Sequence, residues 1–150
     1  MIFVTVGTYK GDELIRSMDE LAPHFEEEII AQIGHSEYEP QNCKFFRFAP
    51  SLDGYYENAS VVVGQGGVGT MFDLLKRGAR FIGVSSSAIP DRHQNELLEK
   101  LSDEGYIMWC KSMNQLKICM DEAKRITFKQ YTPPSCSMEK VILDCLDQCT

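Results

Sequence analysis

The chain has 150 residues, 43% of them hydrophobic and 25% charged, with 15 Lys and Arg against 22 Asp and Glu for a formal charge of −7. That length suits one domain with its own core, and the acidic balance speaks against nucleic-acid binding, which calls for a basic face. No apolar run approaches the ~20 residues that span a bilayer, and the opening MIFVTVGT has neither the basic region nor the small-residue cleavage site of a secretory leader, so a cytoplasmic protein is expected.

In chain order, Ile2–Val6 predicts an apolar first strand, followed by the loop GTYKG. Leu14, Ile15, Met18 and Leu21 fall on one stripe of a helix over Asp12–Leu21. A second strand is expected over Glu28–Ile33, closed by Gly34, and a short third over Phe45–Phe48. Leu52–Asn58 reads as a short helix, Val61–Val63 as the fourth strand and Met71–Arg77 as the helix after it. Phe81–Val84 is the fifth strand, Arg92–Asp103 the next helix, Tyr106–Trp109 the sixth strand and Met113–Arg125 a further helix. After the Thr-Pro-Pro break at 132–134, Met138–Cys149 carries a last apolar stripe, a candidate partner-docking element or one more helix packed on the sheet. This alternation predicts the α/β class: residues 1–150 form a single Rossmann-like domain, a parallel sheet with helices on both faces.

The six cysteines, at 43, 110, 119, 136, 145 and 149, form no CxxC pair and match no zinc signature. Cys145 and Cys149 share a helix face with no histidine nearby in sequence, so reduced thiols and no metal are expected.

The segment VVVGQGGVGT, residues 61–70, carries the most chemistry. A β-branched strand runs into a turn holding Gly64, Gly66, Gly67 and Gly69, and a helix leaves it. Glycines let the backbone approach a ligand, and a helix start offers N–H groups and partial positive charge. An anion is the expected guest, with phosphate, as part of a nucleotide, the first choice; a tight strand-to-helix turn would need glycine anyway. A second strand-to-helix loop, SSSAIP, leads to DRHQNELLEKL, with Asp91 as candidate N-cap and His93, Gln94 and Asn95 in the first turn. Ligands of open α/β sheets bind at the carboxyl ends of the strands, where both loops converge.

Four segments in order, MIFVTVGT, AQIGHSEYEPQNCKFFRF, GQGGVGTMFDLLKRG and DRHQNELLEKLSDEG, resemble the glycosyltransferase family 28 C-terminal domain over roughly residues 1 to 126. Within that family the resemblance is to small stand-alone subunits: the cytosolic subunit of the two-part UDP-GlcNAc transferase of dolichol-linked oligosaccharide synthesis, and PssE-like bacterial subunits. It implies the donor-binding half of a GT-B glycosyltransferase, taking a UDP-sugar as substrate and needing no metal or other cofactor. The other half would be a membrane-anchored subunit that binds a lipid-linked sugar acceptor and recruits this chain peripherally to the membrane. Self-association of the chain when alone stays open.

By position, the resemblance places Gly66, Gly67, Gly69 and Thr70 against the donor diphosphate and sugar, and Asp73 on the ribose hydroxyls. His93 and Gln94 would contact the sugar or uridine, and Thr8 and Lys10 lie in the loop that faces the phosphates. Each has a plainer reading: Asp73 on a solvated helix face, His93 at a helix start, Lys10 in a solvated loop. No DxD sequence occurs, consistent with metal independence, and no general base is evident; in the family it belongs to the acceptor half. The chain departs from the family pattern at Gln65, where a histidine is usual, and at RFIGVSSS, which lacks the usual proline and arginine. Gln65 keeps hydrogen bonding without a titratable charge. Two other readings follow: a catalytically silent nucleotide-sugar-binding or scaffold protein, and a dehydrogenase, for which the glycine turn would have to follow the first strand.

Overall fold

The computed structural model describes residues 1–85 and 92–135. Six strands, β1 (Ile2–Thr5), β2 (Ile29–Gln32), β3 (Lys44–Phe46), β4 (Val61–Gly64), β5 (Phe81–Val84) and β6 (Met108–Cys110), form one sheet in the order β3-β2-β1-β4-β5-β6. Every pairing is parallel. Ile-Phe-Val-Thr in β1 and Val-Val-Val-Gly in β4 are buried throughout, as continuous apolar runs must be when both faces of a strand are covered. The exposed edge strand β3 is short and carries Lys44, which pairs with Glu28 and discourages further strand addition.

The helices divide between the two faces, as expected. On one, α1 (Asp12–Leu21) inserts Leu14, Ile15 and Met18, and α5 (Leu116–Ala123) inserts Leu116 and Met120, against Ile2, Val4, Val61 and Val63. On the other, α2 (Asp53–Asn58), α3 (Val68–Arg77) and α4 (Arg92–Asp103) bring Tyr56, Met71, Leu74, Leu98 and Leu101 against Phe3, Val62 and Phe81. Asp19 of α1 is buried, yet it accepts bonds from the Gln41, Asn42 and Cys43 N–H groups at 3.0, 2.6 and 3.1 Å and from the Tyr38 hydroxyl at 2.7 Å. Burial pushes its carboxyl up, but these donors outweigh burial and hold it below its ordinary value. One carboxylate thereby pins the segment leading into β3.

β1, β2, β3, α2 and β4 each shift by one or two residues at an end, β3 running Lys44–Phe46 rather than Phe45–Phe48, and three larger differences have a local cause. α3 starts at Val68 rather than Met71, so the second half of the glycine segment is the first helical turn. The sixth strand is Met108–Cys110 rather than Tyr106–Trp109, because Gly105 (φ +84) and Tyr106 close α4 by bonding to Ser102 and Leu101 carbonyls. The helix expected over Met113–Arg125 divides into a 3-10 turn at Met113–Gln115 and α5, with Lys124 and Arg125 past its end. The proposed N-cap Asp91 and the helix expected over Met138–Cys149 lie outside the described residues.

Candidate functional site

β1 and β4 are neighbours, with Thr5 beside Gly64, yet the chain leaves them in opposite directions across the sheet: β1 leads to β2 and β4 to β5. This is the switch point of an open parallel sheet, where the loops beyond the strand ends splay apart. A cavity of about 580 Å³ opens there, lined by Thr5–Tyr9 after β1, by Gly64–Thr70 after β4 and by Gln94 of α4.

The floor of the cavity is backbone. Gly66 has φ +72, where L side chains are strained, and a Cβ there would come within 3.1 Å of both Gln94 Nε2 and the Leu98 methyls. Its lack of a side chain lets α4 close onto the loop, and the Gln94 side-chain amide donates to the Gln65 carbonyl. Half-buried Gln65 directs its own amide toward the start of α1, its Nε2 3.0 Å from where a Cβ on Gly11 would stand. The loop after β1 is held from below by Gln32, which bonds Thr5, both polar groups of Gly7 and the Arg47 carbonyl.

α1 begins just beyond the cavity and α3 within its lining, and their first turns differ electrostatically. α1 opens with Asp12 and Glu13, whose charge opposes an anion. α3 has no acidic residue in its first turn and no side-chain cap, and Lys76 and Arg77 complement its far end. Its first helical bond runs from Met71 N to Gly67 O, so the Val68, Gly69 and Thr70 N–H groups precede that bond with no helical acceptor. Among the described residues, no side chain lining the cavity is charged. The arrangement suits an anion bound by N–H groups and the dipole of α3.

Of the residues singled out from sequence, Thr8, Gly66, Gly67, Gly69, Thr70 and Gln94 line this cavity together with Gln65. Lys10, Asp73 and His93 are outside the lining. Lys10 ion-pairs with Glu37, and that bond raises its pKa. Asp73 of α3 pairs with Arg77, its Oδ1 3.1 Å from Nε, and Arg77 also engages Asp53. The exposed His93 has Nδ1 3.9 Å from Glu96 Oε2. Sequence reading passed over Thr5, Val6, Gly7, Tyr9 and Val68; the available signal was MIFVTVGT itself, a buried strand ending in Thr-Val-Gly, once β1 is known to adjoin β4.

The chain is 26% identical to the UDP-N-acetylglucosamine transferase subunit ALG13 of Mus musculus over 121 residues, covering 72% of this chain and 10% of that protein. The NMR solution structure of ALG13 superposes with a TM-score of 0.63 at 18% identity, covering 95% of this chain and 93% of that one. MurG of Acinetobacter baumannii gives a TM-score of 0.60 at 16% identity over 98% of this chain and 49% of that chain. The glycotransferase of kitacinnamycin gives 0.64 at 19% identity, over 83% and 35%. The chain thus spans about a tenth of the mouse relative and about a third to a half of the two larger transferases. Residues 1–139 match the glycosyltransferase family 28 C-terminal domain, and the chain belongs to that family.

Proposed function

We infer that this chain is the donor-binding subunit of a two-component glycosyltransferase, which moves a sugar from a UDP-sugar to a lipid-linked acceptor held by a membrane-anchored partner at the cytosolic face. The observation that carries this reading is the uncapped N-terminus of α3 opening into an uncharged, glycine-lined cavity at the β1/β4 switch point. Family membership and the likeness to a UDP-N-acetylglucosamine transferase subunit support it. No described helix is long and apolar enough to cross a membrane, so in this reading membrane attachment falls to the partner.

In this mechanism the donor diphosphate lies on the Val68, Gly69 and Thr70 N–H groups. As the acceptor hydroxyl attacks the anomeric carbon and the sugar–phosphate bond breaks, negative charge builds on the leaving diphosphate, and the preorganised N–H groups of α3 stabilise it. The general base comes from the acceptor half. Asp73 reaches the ribose hydroxyls by releasing Arg77, which keeps Asp53 as a partner. The neutral Gln65 and the uncharged lining favour one second reading, a catalytically silent UDP-sugar-binding scaffold.

Calorimetric titration with UDP, UDP-GlcNAc, UDP-glucuronic acid and NAD, repeated with Asp73→Ala, tests the proposal. Uridine-selective binding weakened by the substitution is expected. Equal binding of NAD, or no binding of any uridine nucleotide with or without a membrane partner, would overturn it. Turnover with a partner subunit separates the enzyme from the scaffold.

A further inference from the structure

The first turn of α4 is fastened to the sheet by a directed chain of hydrogen bonds. The Trp109 indole N–H donates to Ser85 Oγ at 2.8 Å, and Ser85 Oγ lies 2.9 Å from Asn95 Oδ1. An indole can only donate, so the serine oxygen accepts from Trp109 and its proton goes to Asn95. The chain links β6, the residue after β5 and the start of α4. Its end is adjacent in sequence to Gln94, which donates to the Gln65 carbonyl. One turn further along α4, Leu98 rests on Gly66 and Gly83, where a Cβ would press on its methyls.

An apolar seat such as that of Leu98 sets how closely a helix approaches but leaves its rotation loose. At a side-chain radius of roughly 5 Å, a rotation of about 20° displaces a side chain by about 2 Å, enough to break a hydrogen bond. The Ser85–Asn95 bond lies off the Leu98 contact and resists that rotation.

We propose that Ser85, Asn95 and Trp109 are positioning residues for donor recognition: their hydrogen-bond chain sets the rotation of α4 and so keeps the Gln94 side chain on the glycine-rich loop. The proposal rests on the donor-site reading, and its test separates the two. Ser85→Ala, Asn95→Leu and Ser85→Thr are compared with the unaltered chain at a temperature where all keep its circular dichroism. UDP affinity is measured by calorimetry. The Gln94 side-chain amide is followed in proton–nitrogen spectra, assigned by its loss in Gln94→Met. Ser85→Ala and Asn95→Leu should weaken UDP about 5- to 10-fold and move the Gln94 signal toward the position of a solvated amide. Ser85→Thr, which keeps the hydroxyl, should stay within about twofold on the same scale.

Unchanged affinity, or an unmoved Gln94 signal, in both Ser85→Ala and Asn95→Leu overturns the proposal. If the unaltered chain binds no UDP, the donor-site reading fails by itself, and the Gln94 signal alone then decides whether the chain of bonds positions that side chain.

Discussion

Gln32 grips Gly7 from both sides: its Oε1 accepts from the Gly7 N–H at 3.0 Å, and its Nε2 donates to the Gly7 carbonyl at 2.8 Å. The same buried amide accepts from the Thr5 hydroxyl at 2.8 Å and donates to the Arg47 carbonyl at 2.9 Å. One side chain from β2 thereby shapes the wall that β1 contributes to the cavity. Gln32→Leu leaves these groups without their partner, at about 1–3 kcal/mol for the buried Thr5 bond and less for the part-buried groups that water can reach. A loss of about 2–4 kcal/mol in urea denaturation is expected, accompanied by weaker UDP binding. A midpoint unchanged from the parent would show that the loop holds its shape without the clamp.

Gly66 and Gly83 both lie under Leu98, but substitution should separate their roles. Gly83→Ala forces a methyl into the Leu98 side chain in the core and should cost about 1–3 kcal/mol through overpacking. At Gly66 the left-handed backbone adds strain, and the new methyl also meets Gln94. Gly66→Ala should therefore lower UDP affinity by more than its loss of stability explains. Thermal scans paired with UDP titration check this; equal affinity in the two variants contradicts it.

Glu27 accounts for part of the acid sensitivity. Lys124 Nζ at 2.6 Å, the Ser60 hydroxyl and the Met1 amino group at 3.2 Å surround its carboxylate and hold its pKa at about 2, below the ordinary 4.5. Because the folded pKa is the lower one, the stabilisation is fully present above about pH 4.5 and is lost as the pH falls through about 2. For a group 30% exposed this amounts to about 1–3 kcal/mol. Glu27→Gln should be less stable by that amount at pH 7 and show a shallower decline in stability over the acid range. Parallel stability–pH curves would place the acid sensitivity elsewhere.

Gln65 stands in the cavity wall as a neutral amide. Gln65→His introduces a group that becomes cationic near pH 6.5. The UDP affinity of the variant relative to the parent should rise about 3- to 10-fold between pH 8 and pH 6, because a charge-assisted bond replaces a neutral one. A flat ratio would show that this position does not face the bound phosphate.

Much of the fold is legible in local patterns. Leu14, Ile15 and Met18 repeat at the spacing of a buried helix face, and the apolar runs of β1 and β4 are long enough only for strands covered on both sides. The expected end of α3 at Arg77 holds: Gly78, with φ +68, and the Ala79 N–H bond to the Leu74 carbonyl close the helix in a left-handed cap. The start of α3 was not legible. Val68, Gly69 and Thr70 are poor helix formers, and packing of Met71 and Leu74 on the sheet overrides that propensity.

The amino-acid order by itself determined the succession of strands and helices and the glycine-rich approach to α3, because each is written in neighbouring residues through periodicity and backbone freedom; the family was legible through the resemblance of four ordered segments. Only the tertiary structure decided that β1 lies beside β4, which brings Thr5–Tyr9 opposite Gly64–Thr70 to form the cavity. It also decided which charges face that cavity. Lys10 and Asp73, both chosen from sequence as ligand contacts, lie outside the lining and pair with Glu37 and Arg77, and Asp73 must exchange that partner to meet a ligand. The Lys10 partner in particular lies in a distant loop: ion pairs depend on which surfaces long-range packing brings together, and no local spacing encodes that.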